Sequence, residues 1–121
     1  GESTPRKIDV RIVAATNQNL EKIVEQRSFR EDLYFRLAVV PVNLPPLRMR
    51  REDIPLLINH FFNRAKAKHG FPNLKITREV INVLSNYLFP GNVRELENLI
   101  ERMVVLSDEN ALTLDDVPDY I

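Results

Sequence analysis

Pro45 and Pro46 divide the chain into two stretches that follow different hydrophobic periods. Adjacent prolines remove two backbone donors and hold the preceding residue extended, so neither a helix nor a sheet ladder runs through this point. Ahead of them, residues 10–15 (VRIVAA) are β-branched and apolar apart from Arg11, the profile of a buried strand in an open sheet. A second strand is expected over residues 38–44. Between them, residues 19–26 set Leu20, Ile23 and Val24 on one helical face, and residues 29–37 predict a second short helix with Phe29, Leu33 and Leu37 inward. Two strands with so few partners make no independent sheet. The first stretch therefore reads as the edge of a larger α/β layer.

Beyond the prolines the period becomes helical. Ile54, Leu57, Ile58, Phe61, Phe62 and Ala65 form one stripe, with Asp53 as N-cap and Pro55 in the first turn. Gly70 ends that helix. Thr77 caps a second, in which Val80, Ile81, Leu84 and Leu88 share a face up to Phe89-Pro90-Gly91. Asn92, with Glu95 three residues on, has the spacing of a capping box ahead of Val93, Leu96, Ile100, Met103 and Val104. Thr113 caps one short final turn. The expected architecture is α/β plus α: residues 1–44 as an incomplete α/β part, 45–52 as a connector, and 53–121 as a small helical bundle.

Composition excludes several chemistries. A phosphate-cradling loop needs paired glycines, and this chain has three in all, Gly1, Gly70 and Gly91, so no P-loop is present. Absence of cysteine removes thiolate metal sites and thiol catalysis, and His60 and His69 make a poor metal pair; no metal site is expected. Seventeen basic and seventeen acidic side chains cancel, which leaves no global field for a polyanion. No apolar run approaches the roughly 20 residues of a membrane span. A reducing, cytoplasmic setting without membrane contact is expected.

Four residues stand out as candidates. Asn17 sits where a strand is expected to end, a usual ligand position in open α/β sheets and also a common place for a turn residue. Arg30 and Arg36 flank the short helix in FREDLYFRL, about 240° apart around it. They are either surface ion pairs with Glu31 or Asp32, or arginines offered to phosphate. Arg94 falls in the first turn of the helix after Gly91, where a cation is disfavoured unless an anion joins it; the alternative is a bridge to Glu97 or Glu101. Arg48, Arg50 and Arg51 beside Glu52 and Asp53 read as a solvated boundary. The last two long helices superficially suggest a helix-turn-helix, but Glu95, Glu97 and Glu101 outweigh Arg94 and Arg102 there.

The strings RIVAATN at 11–17, FREDLYFRL at 29–37, LPPLRMRREDIPLL at 44–57 and PGNVRELENLIERMVVL at 90–106 together resemble the AAA+ domain of sigma-54-dependent transcription activators, the bacterial enhancer-binding proteins. Met49 stands where the family commonly has glutamate, and Phe89 where tryptophan is usual. The resemblance implies a truncated AAA+ fragment ending in a helical lid. It makes Asn17 the sensor I residue, Arg30 and Arg36 the arginine-finger candidates reaching a neighbour's nucleotide, and Arg94 the sensor II residue. It further implies ATP and Mg in the intact parent, and neither as a ligand of this fragment alone, because the Walker A loop, the Walker B acids and the GAFTGA loop are missing. The parent would assemble as a ring, commonly a hexamer. It would act on the sigma-54 RNA polymerase holoenzyme and bind DNA through a separate domain. A free-standing helical interaction module and a DNA-binding helical domain are the competing readings.

Overall fold

The computed structural model describes residues 4–16, 18–26, 30–108 and 110–121, and of Leu20 the backbone alone. The chain separates into two compact units, Gly1–Asn43 and Leu44–Ile121.

In the first unit, helix α1 spans Leu20–Glu25 and α2 spans Glu31–Leu37. Asn19 Oδ1 accepts from the Lys22 N–H at 3.3 Å and so caps α1. The Tyr34 hydroxyl donates to Glu21 Oε1 at 3.5 Å, linking the two helices. Glu31 and Asp32 fill the first turn of α2 and Arg36 the last, the arrangement that suits a helix dipole. The strands expected at 10–15 and 38–44 are not formed. Every residue from 4 to 16 is exposed, and Val13 and Val40 are 85% and 79% accessible. A strand's hydrogen bonds run to another segment, and no described segment of this unit offers the matching edge. Leu33, expected inward, is exposed as well. Phe29 lies outside the described residues.

The second unit holds the core. Single 3-10 turns at Leu47–Met49 and Arg51–Asp53 lead into α3, Ile54–His69, followed by β1 (Lys75–Ile76), α4 (Arg78–Ser85), α5 (Asn92–Val105) and β2 (Ala111–Leu112). A last 3-10 turn covers Leu114–Asp116. Ile54, Ile58, Phe61, Phe62 and Ala65 of α3 face Leu96, Leu99, Ile100, Met103 and Val104 of α5, with Val80 and Leu84 of α4 closing the cluster. This is the stripe pattern that the helical spacing requires. The parallel pair β1 and β2, with Lys75 opposite Ala111 and Ile76 opposite Leu112, brings the fully buried Leu112 under the helices. The expected α/β plus α class thus holds, with its two strands in the helical unit rather than at 10–15 and 38–44.

Local signals meet different fates. Gly70 ends α3 in the left-handed region at φ 78, where a residue without Cβ is favoured. Thr77 caps α4 by accepting from the Val80 N–H at 3.4 Å, and Thr113 and Asp116 form a reciprocal capping box on the last turn. Asp53 occupies the N-cap place of α3 but makes no side-chain cap, because the preceding 3-10 turn already delivers the chain in helical geometry. The helix α4 stops at Ser85, three residues short of Leu88. Phe89 then adopts φ 48 and turns inward, fully buried against Tyr87 at a ring separation of 4.8 Å, and Leu88 is left exposed.

Among the ionic ties between α3 and α5, two meet at Glu101. Glu101 Oε1 accepts from Lys68 Nζ at 2.8 Å and lies 2.9 Å from His69 Nε2. The Lys68 hydrogen bond foremost, then that of His69 and the Lys68 charge, hold the Glu101 carboxyl below its ordinary 4.5, at about 2. A carboxylate with a depressed folded pKa contributes stability that is complete above the unfolded value and fades as pH falls through the folded one. The expected result is a melting temperature that declines between pH 4.5 and about 2, with a shallower decline in Glu101→Gln. Thermal unfolding followed by circular dichroism at several pH values checks this. Equal slopes would remove the contribution.

Candidate functional site: arginines of the lid and of α2

The entrance to α5 is built from an irregular turn. Both Phe89 and Asn92 have positive φ, at 48° and 55°. Glu95 Oε1 reaches back four residues to accept the Gly91 N–H at 2.9 Å, whereas the Asn92 N–H that the expected capping box would give to Glu95 donates to the Phe89 carbonyl at 2.8 Å. Nor does Asn92 cap its own helix. Its Oδ1 accepts the Leu47 N–H at 2.9 Å, so the side chain is committed to the connector.

Arg94 projects from this first turn and is exposed. The glutamates proposed as its bridging partners are engaged elsewhere. Glu97 faces Arg64 at 3.7 Å, and Glu101 holds Lys68 and His69. Among the described residues Arg94 has no hydrogen-bonding or ionic partner. Its fixed charge, at a helix start where free N–H groups also point outward, makes an anion the complementary ligand.

The α2 arginines differ from each other. Arg30 is closed onto Asp32 by two hydrogen bonds, Nε to Oδ1 at 3.1 Å and Nη2 to Oδ2 at 2.6 Å, with the guanidinium side chain 79% accessible. That is the surface ion pair of the plainer reading. Arg36, in the last turn of the same helix, is exposed and without a partner among the described residues. Asn17, the sensor I candidate, lies outside the described residues. Arg50 belongs to the arginine cluster expected at a solvated boundary, but its Nε is buried without an acceptor among the described residues. No signal in the local sequence marks it off from Arg48 and Arg51. No group of three or more His, Cys, Asp or Glu able to hold a metal ion occurs among the described residues, and no described helix is long and apolar enough to cross a membrane.

The family described as AAA+ ATPase lid domain matches residues 48–121, and residues 1–43 match the Sigma-54 interaction domain. The chain belongs to the AAA+ ATPase family, as the lid-bearing part of the ATPase domain of a sigma-54-dependent transcription activator. Among its relatives, the DNA-binding transcriptional regulator NtrC of Azospirillum brasilense is 50% identical over 117 residues, covering 97% of this chain and 24% of that protein. The nitrogen fixation protein AnfA of Azotobacter vinelandii is 48% identical, covering 98% of this chain and 22% of that protein. This chain therefore spans about a quarter of the length of these relatives. Crystal structures of NtrX from Brucella abortus in complex with ADP and with ATP superpose with TM-scores of 0.84 and 0.83 at 41% identity, covering 98% of this chain and 28% and 29% of those chains. Of the three readings of the sequence, family membership selects the ATPase fragment.

Proposed function

We propose that this chain supplies the phosphate-sensing and lid residues of an ATP-driven sigma-54 activator. In it Arg94 acts as sensor II on the nucleotide of its own subunit, Arg36 with Arg30 as finger residues on a neighbour's nucleotide, and Asn17 as sensor I. The observation that carries the reading is Arg94, exposed on the first turn of α5 while Glu97 and Glu101 are held by α3. Charge that develops on a transferring phosphoryl group is met by preorganised cations, which explains why arginines would converge on it from a lid and from a partner subunit. The residues described here fit that supporting task and not the remainder of the site. The glycines present cannot form a phosphate loop, and Mg would be held by carboxylates of the missing Walker B segment. The complete protein would assemble as a ring, commonly a hexamer, in the cytoplasm. It would couple hydrolysis to remodelling of the sigma-54 RNA polymerase holoenzyme and contact DNA through a separate domain. Support comes from the two family matches and from the ADP and ATP complexes of NtrX.

The test is nucleotide binding by the complete ATPase domain. A hydrogen bond to a charged group contributes about 1.5–3 kcal/mol, so Arg94→Ala is expected to raise the Kd for ATP by roughly 10- to 100-fold by the same measure, read by calorimetry. The 121-residue chain alone is expected to show no ATP turnover. Unchanged affinity in Arg94→Ala, or turnover by the isolated chain that this substitution abolishes, would overturn the reading.

A further inference from the structure

The backbone of Asn92 is left-handed at φ 55, and its side-chain oxygen accepts the Leu47 N–H at 2.9 Å across 45 residues of sequence. Leu47 is fully buried in the 3-10 turn after Pro46. A buried N–H without an acceptor is strongly disfavoured, so this bond fixes the connector against the start of α5. Asparagine is among the few residues with a Cβ that adopt the left-handed region readily. Phe89, three residues earlier, is also left-handed and fully buried. The direction in which α5 begins is therefore set by two anchors, an aromatic ring in the core and an amide on the connector. Arg94 follows the second anchor by two residues, and no partner among the described residues holds its guanidinium. Without a lateral ion pair, the pose of Arg94 depends on the backbone from which it springs.

We propose that Asn92 is a positioning residue for Arg94, holding the first turn of α5 on the connector so that the guanidinium is presented to phosphate without a side-chain partner of its own. The proposal rests on the reading of Arg94 as a phosphate ligand and deepens it. It assigns Asn92 no contact with nucleotide. A misplacement of about 1 Å in a positioned group can cost on the order of 10²-fold, so loss of one of two anchors should be measurable.

The experiment is a double-mutant cycle in the complete ATPase domain, with ATP affinity measured by calorimetry and folding by thermal melting. Asn92→Gly keeps access to positive φ and deletes only the hydrogen bond. Asn92→Asp keeps an acceptor oxygen at the same reach. The expected results are a Kd for ATP raised about tenfold in Asn92→Gly and within about twofold of the parent in Asn92→Asp. In an Arg94→Ala background, Asn92→Gly should add less than about twofold, because the two residues act through one another. Wild-type affinity in Asn92→Gly overturns the proposal, as does a loss that simply multiplies with that of Arg94→Ala, the mark of a general structural role. If Asn92→Gly melts below the assay temperature, the cycle is run at a lower temperature at which all four domains are folded, with the same two outcomes. An Arg94→Ala domain that binds ATP like the parent overturns the phosphate reading itself, and the positioning role with it.

Discussion

Alanine at Arg36 is expected to lower ATP turnover of the assembled ring by about 10³-fold or more, the usual cost of losing an arginine that reaches a transferring phosphoryl group from a partner. Arg36 has the stronger claim of the two α2 arginines. It is exposed without a partner among the described residues, whereas Arg30 is closed onto Asp32 by two hydrogen bonds. Exposed pairs of that kind are weak, so Arg30 is not barred from leaving Asp32, but it must first give up a bidentate contact. Arg30→Ala is accordingly expected to cost less than Arg36→Ala. Mixed rings separate action in trans from action in cis. Subunits with a Walker B defect and subunits with Arg36→Ala are each inactive alone. Together they regain turnover wherever an intact Arg36 faces an intact Walker B site. Mixtures made with Arg94→Ala should stay inactive, because every nucleotide site then retains a local defect. If confirmed mixed rings made with Arg36→Ala and with Arg30→Ala both fail to recover, the trans assignment falls and both arginines return to the role of surface cations.

The largest effect on stability is expected at Phe89. Removing a buried phenylalanine ring typically costs about 3–5 kcal/mol, of the same order as the total stability of about 5–15 kcal/mol that a domain has to lose. Phe89 is fully buried, stacks edge-on against Tyr87 at 4.8 Å, and closes the turn from which α5 starts. Alanine keeps the unfavourable φ of 48° while giving up the packing that offsets it. Leu88, its neighbour, is 53% accessible, and Leu88→Ala should fall within about 0.5 kcal/mol of the parent, as surface changes do. Urea unfolding of the two variants makes the comparison. Equal midpoints would mean that the inward and outward assignments of this turn are wrong.

That pair of residues also marks where sequence reading stops. Continued helical spacing carries Leu84 on to Leu88, so periodicity alone sends Leu88 inward. The chain leaves the helix after Ser85, and Phe89, itself in the left-handed region at φ 48, takes the core position that continued helical spacing would give to Leu88. The same limit appears at Asn92. Its type and its distance from Glu95 signal a helix start, and a helix does start there, but the partner of its oxygen is Leu47, which no local rule points to. The expected bridges from Arg94 to Glu97 or Glu101 fail for the same reason. Residues one or two turns apart compete with a second helix, and α3 brings Arg64, Lys68 and His69 to those carboxylates.

What the sequence determined by itself was what depends on neighbours in the chain. The stripe of α3, the Thr77 and Thr113 caps, the break at Gly70 and the family to which the motifs belong could all be read from residue order. Helical hydrogen bonds close within four residues, so their signals are local. Strand pairing, burial and ion-pair choice join distant segments, and tertiary structure decided those. The apolar residues at 10–15 and 38–44 have strand character but no edge to pair with among the described residues. The short segments Lys75–Ile76 and Ala111–Leu112 form a parallel ladder because the α3–α5 core carries their ends together. That Arg94 keeps no carboxylate partner was likewise a tertiary outcome, since α3 engages Glu97 and Glu101. The Arg30–Asp32 pair spans two residues and was legible in residue order.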